Sequence, residues 1–362
     1  MNVLWLAPNF NHYKARFLDH LAQDKAISLT ILSGSGRKQM GDQEIDNEWS
    51  FEYIRVNVPK KEYGKSKIVK DKLKTIYGNY NWIMIPAEKK NLPLFLYALK
   101  LRKQNPNVRL FSYNHTRLKS KNAVLGFLDN RISRYFNDKL DRVIFYSEDA
   151  CKRAVELNLI KSKKAFWANN TIDNTEIEKH YTFQLPPKSE NRILFIGRLI
   201  SSKRVNDLIS CYNALRLDFQ NMKLEIIGSG PEDAIVKNIS EKNADVKWHG
   251  TLVDESKIAP IMQRASIVVV PGLSGLSINH AFAYGRPYIT LIADKHGPEI
   301  NYLDHGKNGY ILSNNDEIVT KISELLSNRQ KLENFCLSAN EKGKQLSVQN
   351  WVQQIKTSLI HE

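Results

Sequence analysis

Cysteine is scarce in this 362-residue chain: Cys151, Cys211 and Cys336 are an odd number, widely spaced, and none has a histidine at metal-ligand spacing. That argues against a disulfide framework and against a Cys/His metal centre, and it leads to an expectation of reduced thiols in a cytoplasmic protein. Long apolar runs are missing too. Hydrophobic residues make up 42% of the chain, yet no stretch approaches the roughly eighteen residues that a membrane span needs. The opening segment Met1 to Ala7 lacks the basic start, sustained apolar core and cleavage site of an export signal, and reads as a first strand. No internal repeat or low-complexity tract is present.

Acidic residues are too few to balance the basic ones, and the formal net charge is +15. The surplus is local. Residues 1–182 carry 32 Lys and Arg against 19 Asp and Glu, whereas residues 183–362 carry 21 against 19. Within the first half, residues 51–140 hold 20 against 6, including the run from Lys60 to Lys74. Such a patch suits nucleic acid, anionic lipid or an acidic substrate, and charge alone does not choose among them. No aromatic-interleaved basic recognition motif accompanies it, which disfavours nucleic acid. At this length two domains are expected.

The stretch that organises the chain runs from Ile267 to Glu299. Ile267 to Val270 form a short β-branched strand, stopped by Pro271 and Gly272. Leu273, Ser274 and Gly275 then turn into a helix over Leu276 to Tyr284. Gly285, Arg286 and Pro287 end it, and Tyr288 to Ala293 reads as the next strand. This βαβ unit sets helix-start N–H groups at a strand's carboxyl end, which favours an anion, and Gly275 permits close approach to the backbone. Strand, glycine turn and helix is also the commonest way to build any α/β domain.

Glycine punctuates other strands at the same end: Gly197 after Arg192 to Ile196, Gly228 and Gly230 after Leu224 to Ile227, and Gly250 after Val246 to His249. The tail reads as two helical segments, Asp316 to Asn340 and Val348 to Leu359. In the first half the strands VLWLA, ISLTIL, Phe51 to Val58, Trp82 to Pro86, Leu110 to Tyr113 and Arg142 to Tyr146 alternate with helical patterns. Its first loop carries no glycine but Asn11, His12, Tyr13 and Lys14, candidate acceptor contacts at the carboxyl end of a strand. Another strand ends at His115. Leu118 to Leu140 is an amphipathic basic segment, readable as a helix packed on the sheet or as one seated on an anionic membrane. His180 to Asn191, with Pro186 and Pro187, is the expected linker.

Six pieces in order carry a family likeness: Asn170-Thr171-Ile172-Asp173; ILFIGRLISSKRVNDLI from Ile193; LEIIGSGPE from Leu224; WHGTL from Trp248; VPGLSGLSINHAFAYGRPYIT; and HGPEINYLDHGKNGYIL. Together they resemble the GT4 family of retaining glycosyltransferases. That resemblance implies an α/β GT-B fold of two facing Rossmann-like domains with parallel sheets and an interdomain cleft. The expected division is an acceptor-binding domain over 1–182, a nucleotide-sugar domain over 183–345, and a final helix over 346–362 crossing back to the first domain.

By the same resemblance Arg198 and Lys203 contact the donor diphosphate, as catalytic residues with His115 near the donor sugar. Gly197, Gly228, Gly230, Thr251 and Leu252 line the nucleotide pocket, and the loop at Gly275, Leu276 and Ser277 offers its amides to the phosphates. Glu299 matches a family glutamate that reaches the donor or complements a helix dipole. Relatives commonly carry two glutamates eight positions apart around the central loop; here Gly272 and His280 stand there. A neutral His280 retains a donor and an acceptor for a ribose hydroxyl, while the sugar-reading carboxylate is lost.

The implied activity moves a sugar, with retention, from a nucleotide sugar to a glycan acceptor. UDP is favoured over GDP. The acceptor is expected to be lipid-linked, in bacterial surface polysaccharide synthesis such as O-antigen, capsule or exopolysaccharide. No cofactor and no metal are expected, since no Asp-x-Asp occupies a plausible donor loop. The expected location is cytoplasmic, with peripheral contact to the inner face of an anionic membrane. Two alternatives remain at this level: a GT-B-fold sugar-nucleotide epimerase, and a non-catalytic nucleotide-sugar-binding protein.

Overall fold

The computed structural model describes residues 1–10, 12–35, 48–86, 88–114 and 128–360, the side chains of His12 and Tyr13 excepted. Its contacts divide the chain into two units, one of Met1–Asn170 with Val348–Glu362 and one of Thr171–Ser347.

The first unit runs β1 (Asn2–Ala7), α1 (His12–Ala22), β2 (Ser28–Ser33), β3 (Glu52–Arg55), α2 (Lys67–Ile76), β4 (Trp82–Met84), α3 (Leu92–Gln104), β5 (Arg109–Asn114), α4 (Asp129–Lys139), β6 (Arg142–Phe145), α5 (Glu148–Glu156) and β7 (Ala165–Trp167), and it is completed by the last helix, α13 (Val348–Ile360). Among the described residues its strands form one sheet in the order β3-β2-β1-β4-β5-β6-β7, parallel throughout. Alternation along β1 splits the core in two. Leu4 and Leu6 face the layer of α2 to α5, while Val3, Trp5 and Ala7 face the layer that includes α1 and α13. Burial on both faces is why such strands read as near-continuous apolar runs.

Helix α13 belongs to this unit because Trp351 is wholly buried there. Its indole N–H donates to the Tyr113 hydroxyl at 3.1 Å and its ring meets Phe17 edge-on, with centroids 4.8 Å apart. The Gln354 side chain accepts from the Asn169 N–H at 2.9 Å, and Lys356 pairs with Asp24 at 2.9 Å.

The second unit runs α6 (Asn174–Glu178), β8 (Asn191–Ile196), α7 (Val205–Asp218), β9 (Met222–Ile227), α8 (Asp233–Lys242), β10 (Val246–Trp248), α9 (Glu255–Arg264), β11 (Ile267–Val269), α10 (Ser277–Ala283), β12 (Tyr288–Leu291), β13 (Gly309–Leu312), α11 (Asn315–Ser327) and α12 (Arg329–Gln345). Its sheet, in the order β10-β9-β8-β11-β12-β13, is also parallel. Counted from each unit's first strand, both sheets begin 3-2-1-4-5-6, the doubly wound order of dinucleotide-binding folds, in which ligands gather outside the carboxyl ends of the strands.

Three sequence expectations are adjusted. The division falls at 170/171, upstream of the expected 182/183, because Ile172, Ile177 and Tyr181 are core residues of the second unit and the Thr171 hydroxyl donates to the Leu346 carbonyl. The proline-bearing stretch from His180 to Asn191 therefore lies inside that unit. The helical segment expected over Asp316 to Asn340 is two helices, since Asn328 leaves helical geometry and caps the second by accepting from the Lys331 N–H at 3.0 Å. Arg286, read as part of a helix stop, is fully buried. Its guanidinium donates to the carbonyls of Met262 and Gln263 in the last turn of α9, each at 3.0 Å, and to that of Gln184 at 3.0 Å. A buried cation needs such partners, and a helix carboxyl end supplies negative potential.

Candidate functional site

The loops leaving β8, β9, β10 and β11 converge at one edge of the second unit's sheet. The β9 loop interlocks through backbone with the β8 loop on one side and the β10 loop on the other. Leu199 N–H donates to Ser229 O at 3.1 Å and Gly228 N–H to Gly250 O at 2.7 Å. A Cβ on Gly228 would lie 1.8 Å from the Gly197 carbonyl oxygen, and one on Gly230 would lie 2.3 Å from that of Leu199. These two glycines are required by loop-on-loop packing, whatever they present to a ligand. Gly250 turns in the left-handed region, φ 65°, and leads into Thr251, exposed, and Leu252, half-buried.

The β11 loop docks on the end of the β8 loop. Leu273 N–H donates to Ser202 O at 2.8 Å and Gly272 N–H to Lys203 O at 3.1 Å. A Cβ at position 272 would lie 2.1 Å from Ser202 O and 2.6 Å from Lys203 Cα. Backbone thus fills the place where the family pattern sets its first glutamate. At Gly275, by contrast, the nearest protein atom to an added Cβ is Glu299 Oε2, at 3.7 Å. That space is open.

Lys203 lies between these loops, half-buried, and its ammonium donates to the Leu273 carbonyl. Burial, and then the neighbouring Arg198 charge, push it down to about 8 against the pull of the Glu299 carboxylate. Arg198 itself is exposed. Glu299 is buried, 3% exposed, in a short 3-10 turn, Pro298–Tyr302. Arg198, five residues before Lys203, and Glu299, distant in sequence, therefore both come within electrostatic reach of the Lys203 ammonium beside the open space at Gly275.

His296, which sequence reasoning passed over, fixes this loop. Its Nδ1 accepts from the Ser274 N–H at 2.9 Å, and its Nε2 reaches the Leu291 carbonyl at 2.8 Å and so carries the proton. The ring is neutral in that arrangement, and burial, with the Lys203 charge opposing a second proton, holds it below the ordinary histidine value. Gly297 N–H donates to Ser274 O at 2.7 Å, so both backbone groups of Ser274 are clamped. Its side chain joins a hydroxyl chain: Tyr288 OH donates to Ser274 Oγ at 3.0 Å, Ser274 Oγ meets Thr290 Oγ1 at 3.0 Å, and Ser277 Oγ lies 2.7 Å from Tyr288 OH. The only sequence hint was His296 standing three residues before Glu299.

Leu276 and Ser277 open α10, both half-buried. His280, expected to face a ribose, turns to α9 instead. Its Nε2 lies 3.1 Å from Glu255 Oε1, and the Tyr284 hydroxyl donates to Glu255 Oε2 at 2.8 Å. Asn11 and His115 lie outside the described residues, as do the side chains of His12 and Tyr13. Among the described residues no group of three or more His, Cys, Asp or Glu could hold a metal ion.

Residues 190–328 match the family model described as Glycosyl transferases group 1. An uncharacterised glycosyltransferase of Haemophilus influenzae is 26% identical over 222 residues, 57% of this chain and 59% of the relative. The alpha-monoglucosyldiacylglycerol synthase of Acholeplasma laidlawii is 22% identical over 144 residues, 38% of this chain and 35% of the relative. The chain thus spans about 59% and 35% of the lengths of these two curated relatives. Among solved structures, HepE of Anabaena, crystallised with UDP, has TM-score 0.70 at 16% identity over 99% of both chains. A glycosyltransferase of Rickettsia africae has TM-score 0.72 at 14% identity over 100% of this chain and 99% of its own. At these identities the likeness establishes the fold: two Rossmann-like units of the GT-B class.

Proposed function

On the premise that residues 190–328 form a glycosyl transferases group 1 module, we propose that the protein is a retaining glycosyltransferase of the GT4 type, moving a sugar from a UDP-sugar, or less favourably a GDP-sugar, to a glycan acceptor. The observation that carries this reading is the meeting of Arg198, Lys203 and Glu299 beside the open space at Gly275. A diphosphate bound there would meet a guanidinium able to give two parallel N–H donors and an ammonium acting as a point charge. The amides of Gly275, Leu276 and Ser277 supply further donors.

In the transfer the bond between the anomeric carbon and the β-phosphate oxygen breaks and a bond from the same carbon to the acceptor hydroxyl oxygen forms. The hydroxyl proton passes to the departing phosphate. Charge grows on that phosphate, and fixed cations matched to it favour the transition state over the bound donor. An ammonium lowered to about 8 is still mostly charged at pH 7, and an arriving dianion would favour that charged form further. The Glu299 carboxylate favours the charged form of Lys203, and the loop at Thr251 and Leu252 is the part proposed to hold the base through its backbone. HepE, a structural neighbour, has been crystallised with UDP-glucose, which supports the choice of UDP.

The acceptor is proposed to be lipid-linked, presented at an anionic membrane. Support comes from α2, α3 and α4, which neighbour one another: Lys70 lies 6.0 Å from the Tyr97 ring centroid and the Phe95 and Phe136 rings are 4.3 Å apart. Ile68, Leu96 and Tyr135 are 60%, 45% and 48% exposed on them, among Lys67, Lys72, Lys100, Arg131 and Lys139, all exposed. Exposed apolar side chains on helices with more exposed cations than exposed acids, Asp71 and Asp138 among the latter, suit an anionic lipid surface. No helix among the described residues is long and apolar enough to cross a membrane.

A thermal-shift panel of UDP, GDP and their sugars tests the donor, because a ligand that binds only the folded state raises the melting temperature. UDP should shift the wild type and leave Arg198→Ala unshifted. An equal shift in both would overturn the assignment. Vesicle sedimentation tests the surface, and equal partition to neutral and anionic lipid would remove the membrane clause.

A further inference from the structure

The turn proposed to hold the donor phosphates depends on the most permissive of residues. Gly275 has no Cβ to limit its backbone, so a fixed set of amides there must be held from both sides. On one side Ser274 is clamped through its backbone by His296 and Gly297. Across Gly275 the hold passes through hydroxyls. Tyr288 and Thr290, alternate residues of β12 and so on one face of the sheet, are both fully buried.

The proton directions in this chain follow one from another. Thr290 Oγ1 donates to the Gly272 carbonyl at 3.1 Å and accepts from Ser274 Oγ at 3.0 Å. Ser274 Oγ in turn accepts from Tyr288 OH at 3.0 Å. A phenol has one proton, so the remaining contact of Tyr288, at 2.7 Å, is donated by Ser277 Oγ. Each hydroxyl from Ser277 onward therefore donates once, and chains of this kind strengthen cooperatively. The chain ends on Gly272, whose N–H donates to Lys203 O at 3.1 Å. A buried tyrosine needs a partner for its hydroxyl, and one serine would suffice. Here one phenol oxygen ties together the two serines that flank Gly275 and Leu276, and links them through Gly272 to the backbone of the lysine loop. Burial pushes the Tyr288 phenol up, so it stays a donor.

We infer that Tyr288 is a positioning residue for the donor: by bridging Ser274 and Ser277 it fixes the backbone amides of Gly275, Leu276 and Ser277 in an array matched to a diphosphate before the ligand arrives. The identity of that anion rests on the glycosyltransferase reading above; the brace does not. Preorganised donors avoid the ordering cost that a loose loop incurs on binding.

The test uses Tyr288→Phe, which keeps the ring in the core and removes the bridge. Hydrogen exchange of the whole protein without ligand should quicken about tenfold at the amides of residues 275–277 and stay within about twofold along β8 and β12. Calorimetric titration should show UDP bound about tenfold more weakly, and uridine, which has base and ribose but no phosphate, bound as before. A merely structural loss would lower the melting temperature and treat the two ligands alike. Ser277→Ala should reproduce the effect and Ser277→Thr, which keeps the hydroxyl, should not. The double variant Tyr288→Phe/Ser277→Ala should bind UDP no more weakly than either single one, because both cut the same tie. Unchanged UDP binding, equal loss of UDP and uridine, unchanged exchange at residues 275–277, or additive effects in the double variant overturn the inference. If the wild type binds neither UDP nor uridine, the donor reading falls, and exchange, with titration of inorganic pyrophosphate, still decides the brace.

Discussion

Replacing Lys203 with Met separates what the residue costs the fold from what it gives the ligand. In the folded protein its ammonium falls from the ordinary 10.5 to about 8, chiefly through burial. The folded state therefore binds this proton less tightly than the unfolded chain, so holding the charge at pH 7 opposes folding, and the opposition fades as pH rises from 8 towards 10.5. A drop of that size corresponds to about 3 kcal/mol. Methionine keeps the length and removes the charge, but forfeits the bond to the Leu273 carbonyl, worth about 1 kcal/mol. The variant should gain about 1–2 kcal/mol at pH 7, seen as a melting temperature several degrees higher. UDP binding moves the other way: losing a charge-assisted contact to phosphate costs about 1.5–3 kcal/mol, or roughly 10- to 100-fold in affinity. Titrating wild type and variant from pH 7 to 9 isolates the group. Wild-type affinity should fall about tenfold more than the variant's as Lys203 discharges. Lower stability at pH 7 together with unchanged UDP binding, or parallel pH curves, would refute the assignment.

Three further perturbations probe the same unit. His296→Ala frees both the Ser274 N–H and the Leu291 carbonyl, and should weaken UDP about tenfold while the fold survives. In the wild type, protonation at Nδ1 does the same, so UDP affinity should decline as pH falls below the ordinary histidine range, measured by thermal shift from pH 7.5 to 5.5. Gly272→Glu drives a side chain into the Ser202–Lys203 backbone and should unfold the loop rather than restore a carboxylate, giving a lower melting temperature and no gain in transfer. Glu225 is buried; burial would raise it, but its His249 bond and the Arg192 and Arg264 charges hold it below the ordinary carboxylate value. Its stabilisation is therefore present above the unfolded value and lost as pH falls through the folded one, and Glu225→Gln, which leaves the buried Arg192 with Glu190 as its charged partner, should cost about 1–3 kcal/mol by urea denaturation.

The parts of this protein legible from sequence are those in which local chemistry and fold coincide. Strands β8, β9 and β11 end at glycines that the backbone geometry demands, so the pattern of the second unit could be read residue by residue. Arg198, Lys203 and Glu299 were singled out from the family resemblance, and the structure sets the first and last of them within electrostatic reach of the second. What escaped was tertiary. His296 matters only because its two nitrogens meet carbonyl and amide groups 5 and 22 residues away, and His280 is claimed by Glu255, 25 residues earlier. No periodicity encodes such pairings.

The first unit reverses that balance. Its sheet was legible from apolar runs and its charge from simple counting, yet candidate contacts were sought in the most polar loop, Asn11 to Tyr13. Asn11 and the side chains of His12 and Tyr13 lie outside the described residues. Asn91 shows what local pattern does not encode there: it precedes a helix and looks like a cap, a usual use of asparagine, yet it does not cap the first turn of α3 and its amide is buried without a partner. An amide removed from water in that way costs the fold, and its burial is set by segments far from it in sequence, which no periodicity reports.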